Sequence, residues 1–332
     1  MASVTFDNRY GGIIAPEFSG QVFEAALGQS VVLSNFTRER NMVGREMFFD
    51  VNTELPRVEA VDAIDEPVTQ AELDRPRTFE KKGATQKYEP RMLKAGEFAA
   101  YKVFRTADIN DMLAAGYDVL RADIPKFAAQ FGAAIDGAVI WGRRKPREWH
   151  DIPSLWTRAN NMGAVVSPTN GMFRDLFGQG GVRDKILLSG YQPTGFVGSP
   201  HVQSMLYDLR DNDDRPLFVD NIRDGFPYRL AGMPLSFANN GAWDYMRALM
   251  LMADFGNLVY SIREEMTWRT TQDASYPDPQ NPGQTLSCAT RNETMFIIHM
   301  RMGWQLRDPI TQMSESPVPF AFLAPGTGVT TP

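Results

Sequence analysis

The chain has 332 residues, of which 43% are hydrophobic, a formal net charge of -6 and a single cysteine, Cys288. That length and apolar content describe a folded protein with a sizeable core and roughly two domains, and they exclude a disordered chain. One cysteine excludes an intrachain disulfide, and the acidic balance argues against a surface given over wholly to nucleic acid while leaving room for a local basic face.

The opening residues 1–15 read as irregular, with a bend at Gly11 and Gly12 and no apolar signal core. A short helix is expected from Pro16 to the residue before Gly28, with Phe18, Val22 and Ala25 on one narrow stripe. Such a helix suits an arm that docks on something larger. The longest apolar runs, such as Ala248 to Ala253, are too short to cross a bilayer, so no membrane partner is expected.

The stretch from Glu54 to Lys94 carries the strongest signal. Its first half, to Asp74, holds seven acidic residues (among them Asp62, Asp65 and Glu66) and one basic residue, Arg57. From Arg75 onward the balance reverses to seven basic residues, including Arg75, Arg77, Lys81, Lys82 and Lys87, against two acidic ones. With few large apolar side chains and prolines at 56, 67, 76 and 90, this arm has no means of burying a core of its own. Its flanks, Glu46 to Val51 and Phe98 to Phe104, read as strands. An ordered arm of this kind needs a surface to lie on, and a neighbouring copy of the chain supplies one. Folded as a hairpin, its acidic half lies beside its basic half; laid across a neighbour, each half meets an opposite patch. The pattern leaves both open.

A polar opening at Thr106 to Asp111 leads into mostly helical sequence up to Gly142, with Asp123 and Pro125 marking the start of its clearest part. Ile124, Phe127, Ala128, Phe131, Ile135, Ala138 and Val139 recur at helical spacing. Arg143, Arg144 and Lys145 sit where cations favour a helix C-terminus, with a basic patch for nucleic acid as the other reading. Residues 150–255 mix short helices and strands: Gly195 to Gly198 reads as a strand, and Ser199 caps a helix from Pro200 to Asp211 with Val202, Leu206 and Leu209 on one side. Two closing strands, Leu258–Thr270 and Phe296–Leu306, place apolar residues at even positions and mostly polar ones at odd positions, the mark of one buried face. The loop at Tyr276 to Gly283 is kept out of both by its prolines and glycine.

No catalytic or metal motif emerges. The three histidines, His150, His201 and His299, are scattered, with no pair at ligand spacing and no CxxC or HExxH. Gly178 to Gly181 lacks the Lys-Ser/Thr of a phosphate loop and reads as a turn. Glu264 interrupts the apolar face of its strand, so it is expected to be a buried carboxylate with a partner, either at a bulge or in an ion pair with an arginine; the sharper alternative is a catalytic role. Glu265, adjacent on a strand, faces the other way and cannot complete an acid/base pair with it.

Taken in order, the N-terminal arm, the charged β-arm, the long helix ending in Asp136 to Gly142, the inserted α/β unit and the two closing strands resemble the major capsid protein of tailed double-stranded DNA bacteriophages, the Hong Kong 97 type fold. Local matches lie at Asp136 to Gly142, at Ala253 to Ile262, and at Thr294 to Ile310. The resemblance covers nearly the whole chain and implies an α+β fold. It implies an N-arm over 1–45, an extended loop over 46–105, a peripheral domain over 106–149 and 256–325 with a spine helix at 118–142, an axial α/β domain over 150–255 and a tail at 326–332. It further implies a structural protein and not an enzyme, without cofactors. Such a protein assembles in the host bacterial cytoplasm into the pentamers and hexamers of an icosahedral virion shell. Its implied partners are further copies of itself, separate scaffolding, portal and decoration proteins, and packaged double-stranded DNA contacted without sequence readout. Asp62, Asp65, Glu66, Arg75, Arg77, Lys81, Lys82, Lys87 and Glu264 are the candidate inter-subunit contacts. Competing readings are an encapsulin compartment shell, a tail or connector component of a phage, and a cytosolic α/β enzyme with a carboxylate site near Glu264.

Overall fold

The computed structural model describes residues 26, 28–54, 68–76, 87–114, 119–169, 171–209, 228–311, 313–314 and 317–326. Most of the expected first helix, the turns at 211–216 and 223–227, and the tail beyond 326 lie outside them, as do Asp62, Asp65, Glu66, Arg77, Lys81 and Lys82.

Gly28 and Gln29 are helical, so the first helix runs past Gly28 instead of stopping before it. Ser30 then takes an extended backbone and caps α1 (Val31–Asn35), its hydroxyl accepting from the Leu33 amide. The chain continues through β1 (Thr37–Arg38), β2 (Glu46–Glu54), α2 (Gln70–Asp74), β3 (Lys87–Lys94), β4 (Gly96–Arg105), α3 (Thr106–Ala114) and the long α4 (Val119–Trp141). Next come α5 (Leu155–Asn161), β5 (Val165–Val166), α6 (Met172–Phe177), α7 (Val182–Leu188), β6 (Gly195–Gly198), α8 (Pro200–Tyr207), β7 (Arg229–Leu230), β8 (Met233–Phe237) and β9 (Met250–Ala253). The last stretch holds β10 (Leu258–Thr271), β11 (Ser275–Pro277), β12 (Thr285–Ser287), α9 (Cys288–Arg291), β13 (Glu293–Leu306) and β14 (Phe320–Leu323).

These strands form a four-stranded sheet in the order β1-β10-β13-β4 and a six-stranded sheet in the order β5-β14-β9-β6-β8-β7. Two ribbons, β2-β3 and β11-β12, stand apart from the sheets. The alternation in β10 and β13 has the expected cause. Tyr260, Ile262, Met266 and Trp268 of one strand, and Phe296, Ile298, Met300, Met302 and Trp304 of the other, are all buried.

Helix α4 joins the sheets. Near its start Phe127 meets Trp268 of the four-stranded sheet edge to face at 5.4 Å. At its end Trp141 packs against Trp156, Trp243 and Phe322, with ring centroids 5.4–6.0 Å apart, in the core of the six-stranded sheet. Its 23 residues make a rod of about 35 Å.

Several expectations change. Pro125 lies inside α4 and does not open it; the helix forgoes the bond from that nitrogen to the Arg121 carbonyl because the packing of its later turns outweighs the loss. Asp123 is an ion-pair centre and not a cap, holding Lys102 of β4 at 2.5 Å and Lys126 at 2.8 Å. The helix after Ser199 ends at Tyr207, short of Asp211. Phe320–Leu323, assigned from sequence to the same unit as α4, forms β14 between β5 and β9 of the six-stranded sheet.

The Asp123 pair has a pH signature. Partial burial alone would push its carboxyl up, but the Lys102 and Lys126 ammoniums outweigh burial and hold it below the ordinary aspartate value of 3.8. A depressed native value means the stabilisation is present above pH 3.8 and drains as the pH falls below it. Lys102→Met, which removes the ammonium from Asp123 and from above the Phe104 ring, should lower stability at pH 7 by about 1 kcal/mol. Denaturant melts at pH 7 and pH 3 check this: the gap to the parent should narrow in acid, and an equal gap at both would refute the ion-pair account.

Candidate assembly interface

Strand β2 finds its partner inside the charged arm. It pairs with β3, not with the later strand at Phe98 to Phe104, in the register Glu46↔Lys94, Phe48↔Met92, Asp50↔Pro90 and Asn52↔Tyr88. Pro90 is tolerated because the ribbon has only two strands, leaving each with an open edge where no ladder donor is needed. The strand that precedes the arm therefore pairs with the end of its basic half, and Glu54, the first residue of the acidic half, stands opposite Lys87.

Pleating gives this ribbon two faces. On one, Val51 and Leu93 are buried, and Met47 and Phe49 pack on a small cluster of Met42, Leu93 and Ala95. On the other, Phe48 and Tyr88 are 56% and 55% exposed, flanking exposed Pro90. Two half-bare aromatic rings on one face of a projecting ribbon form an apolar stripe that this chain leaves uncovered among its described residues.

The ribbon is clipped firmly to the body. The Ile310 amide donates to the Asn52 carbonyl at 3.1 Å, and the Gln305 side chain donates to the Met92 carbonyl at 3.3 Å. The Trp149 indole donates to the Lys94 carbonyl at 2.8 Å. Lys94, opposite Glu46 in register, gives its ammonium to Asp151 at 2.5 Å and holds that carboxyl below its ordinary value. Where the ribbon crosses β13, a Cβ on Gly303 would stand 2.9 Å from the Lys94 carbonyl oxygen, so only glycine allows the approach.

Of the sequence candidates on this arm, two are described. Lys87 opens β3 and pairs with Glu89 at 3.9 Å. Arg75 follows α2 in an exposed bend.

Glu264 is not the buried carboxylate expected. Two one-residue bulges flank it, between Ile262 and Glu264 and between Glu264 and Thr267. The first turns Glu264 onto the polar face opposite Arg301; the second restores the parity that buries Met266 and Trp268. There it is 39% exposed, 3.1 Å from His299 Nε2 and 3.8 Å from Arg301, which itself grips Glu97 at 2.7 Å. The expected bulge and the expected arginine partner therefore occur together.

The remaining sequence signals resolve similarly. Ser199 caps α8 through the His201 amide. Gly178 to Gly181 forms a turn beside an open cleft of about 260 Å³; the Gly180 and Gly181 amides are engaged by Asp184 and the Gly178 carbonyl. Of the basic run after α4, Arg143 pairs with Asp244, and Lys145 donates to the His150 and Ile152 carbonyls. Among the described residues no group of three or more His, Cys, Asp or Glu is placed to hold a metal ion. Sequence reasoning missed the bare Phe48–Tyr88 face, although two consecutive phenylalanines in one strand already require one of them to point away from the body.

No protein-family model and no curated protein matches the chain. Solved structures do. One from Mycobacterium phage Adephagia superposes with a TM-score of 0.70 at 23% identity over 91% of both chains. One from Mycobacterium phage Cain gives 0.71 at 22% identity, over 91% of this chain and 92% of that one. The capsid of a native GTA particle gives 0.52 at 16% identity over 90% and 89%. The chain has an α+β capsid fold of the Hong Kong 97 type.

Gly303→Ala should separate ribbon from sheet at a cost of about 1–3 kcal/mol. Chemical denaturation checks it, with amide exchange across Glu46–Glu54 rising at the same time; a variant as stable as the parent would show that the close crossing is unimportant.

Proposed function

We propose that this chain is the shell-forming major capsid protein of a tailed double-stranded DNA phage, a structural protein that assembles with copies of itself into pentamers and hexamers. One observation carries the reading: the capsid fold extends over some nine-tenths of the chain and of the phage and GTA particle structures it matches. The projecting ribbon supports it from physics. Phe48 and Tyr88 stand bare on an ordered, well-anchored hairpin, and a second subunit is the cover that a closed lattice provides many times over. Burying the bare half of each ring is worth about 1–1.5 kcal/mol, more than most of the exposed charge pairs around them at about 0–1 kcal/mol. In this reading apolar contact supplies most of the affinity, and the split charges of the arm supply register and salt sensitivity.

The division of labour follows. Residues 1–45 form the arm, 46–105 the extended loop, 106–149 and most of 256–325 the peripheral domain, and 150–255 together with Phe320–Leu323 the axial domain. The shell is the virion capsid, built in the bacterial cytoplasm with separate scaffolding, portal and decoration proteins, and packaged DNA meets its inner surface through phosphates without sequence readout.

Electron microscopy of the expressed chain tests the reading. Closed particles tens of nanometres across are expected. Rings or tubes would point to a tail or connector component, particles filled with a cargo protein to an encapsulin, and a small monodisperse oligomer would overturn the shell reading altogether. Phe48→Ser with Tyr88→Ser should abolish particles while leaving the melting temperature of the subunit within a few degrees of the parent. Reversing the charge of Arg75, Arg77, Lys81 and Lys82 together should also block assembly without unfolding; normal shells from that variant would sink the register role of the arm.

A further inference from the structure

Asp136 is 1% exposed and lies about three-quarters of the way along α4. Its carboxylate accepts four hydrogen bonds from two other parts of the chain. From the arm side come the Ser30 hydroxyl at 2.6 Å and the Val31 and Val32 amides at 3.0 Å each. From the six-stranded unit comes the side-chain amide of Asn240 at 2.6 Å, and the same nitrogen donates to the Gln29 carbonyl at 2.8 Å. One turn earlier, Gly132 admits the arm to contact: a Cβ there would stand 3.2 Å from both the Gln29 carbonyl carbon and the Ser30 nitrogen.

None of the four donors is a cation. A carboxylate buried this deeply normally has a counter-charge, since its desolvation is costly and hydrogen bonds alone must offset it. Burial accordingly pushes the Asp136 carboxyl above the usual aspartate value, against the pull of Ser30, Val32, Asn240 and Val31. Removing any one donor leaves a buried acceptor short, which costs about 1–3 kcal/mol. The cluster is therefore close to all-or-none: a segment that leaves it weakens the hold on the segment that stays.

We propose that Asp136 is a three-way latch, through which residues 29–36 and the loop at 238–242 can leave α4 only together. The arm has other contacts on both sides. Ser236 donates to Asn35 at 3.2 Å, β1 runs parallel to β10, and the Tyr260 hydroxyl donates to the Leu33 carbonyl. Of these, only the Asp136 node is shared by all three elements. It makes the position of the arm on the long helix and the position of the six-stranded unit on that helix a single variable. The proposal rests on the fold alone and stands or falls independently of shell formation.

Amide hydrogen exchange on the full chain tests it, read in fragments spanning 29–36 and 238–242. Ser30→Ala touches only the arm, yet should speed exchange about tenfold in the fragment holding Ala242, whose amide donates to Asn240 Oδ1. Asn240→Ala lies in the loop and also removes the bond to the Gln29 carbonyl, and it should speed exchange to a similar extent at Val31 and Val32, which Asn240 itself does not touch. Asp136→Asn, which keeps the size and removes the charge, should speed both. If each single substitution speeds only its own fragment, the latch is refuted and Asp136 is no more than a cap for α1. Should Asp136→Asn fail to fold, the two milder variants decide alone.

Discussion

A single helix has to satisfy two cores at once, and the rest of the molecule is arranged around that demand. Phe127 near one end of α4 belongs to the four-stranded sheet, and Trp141 at the other end to the six-stranded sheet. Between them Ala128, Phe131, Ile135, Ala138 and Val139 are buried, so the helix is covered along most of its length and both sheets share one apolar cluster. A helix that is apolar over so much of its surface would not persist alone in water; it is held by the layers it joins. Shifting it to improve one core disturbs the other, because interiors packed at crystal-like density do not deform gradually.

Polar groups along this helix are placed where they fix the neighbours' register. Asp123 draws β4 in through Lys102, and Asp136 draws in the arm and the loop after Phe237. Neither gives much net stability for its burial. Each makes one arrangement of neighbouring elements better than its alternatives, the attested use of buried polar groups. The β2-β3 ribbon shows the opposite economy. It is pinned by backbone carbonyls and a glycine crossing, yet turns two aromatic rings outward, so its order does not depend on what finally covers it.

The two long strands were legible because one face of each is buried and the alternation of side chains is a direct consequence of the pleat. The later turns of α4 were legible for the matching reason at helical period. The misreadings share another cause. Pro125 looked like a boundary because local propensity says so, but tertiary packing on both sides carried the helix back past it. Glu264 stood out because it broke the alternation, but a single sequence does not show that two bulges flank it and turn it onto the polar face. β3 was hidden among charges because its face toward the body is only four residues long.

By itself, then, the sequence determined the long helix, the two closing strands and a charged arm, since each rests on periodicity or composition within one segment. Only the tertiary structure decided that β14 crosses to the second sheet, that the end of the arm pairs with the strand preceding it, that Phe48 and Tyr88 are left bare, and that Asp136 gathers three segments. Those are outcomes of contacts between residues far apart in the chain, such as Val31 with Asp136, 105 positions apart, and Gln305 with Met92, 213 apart. No local pattern encodes them, because each partner's signal is ordinary until the other is beside it.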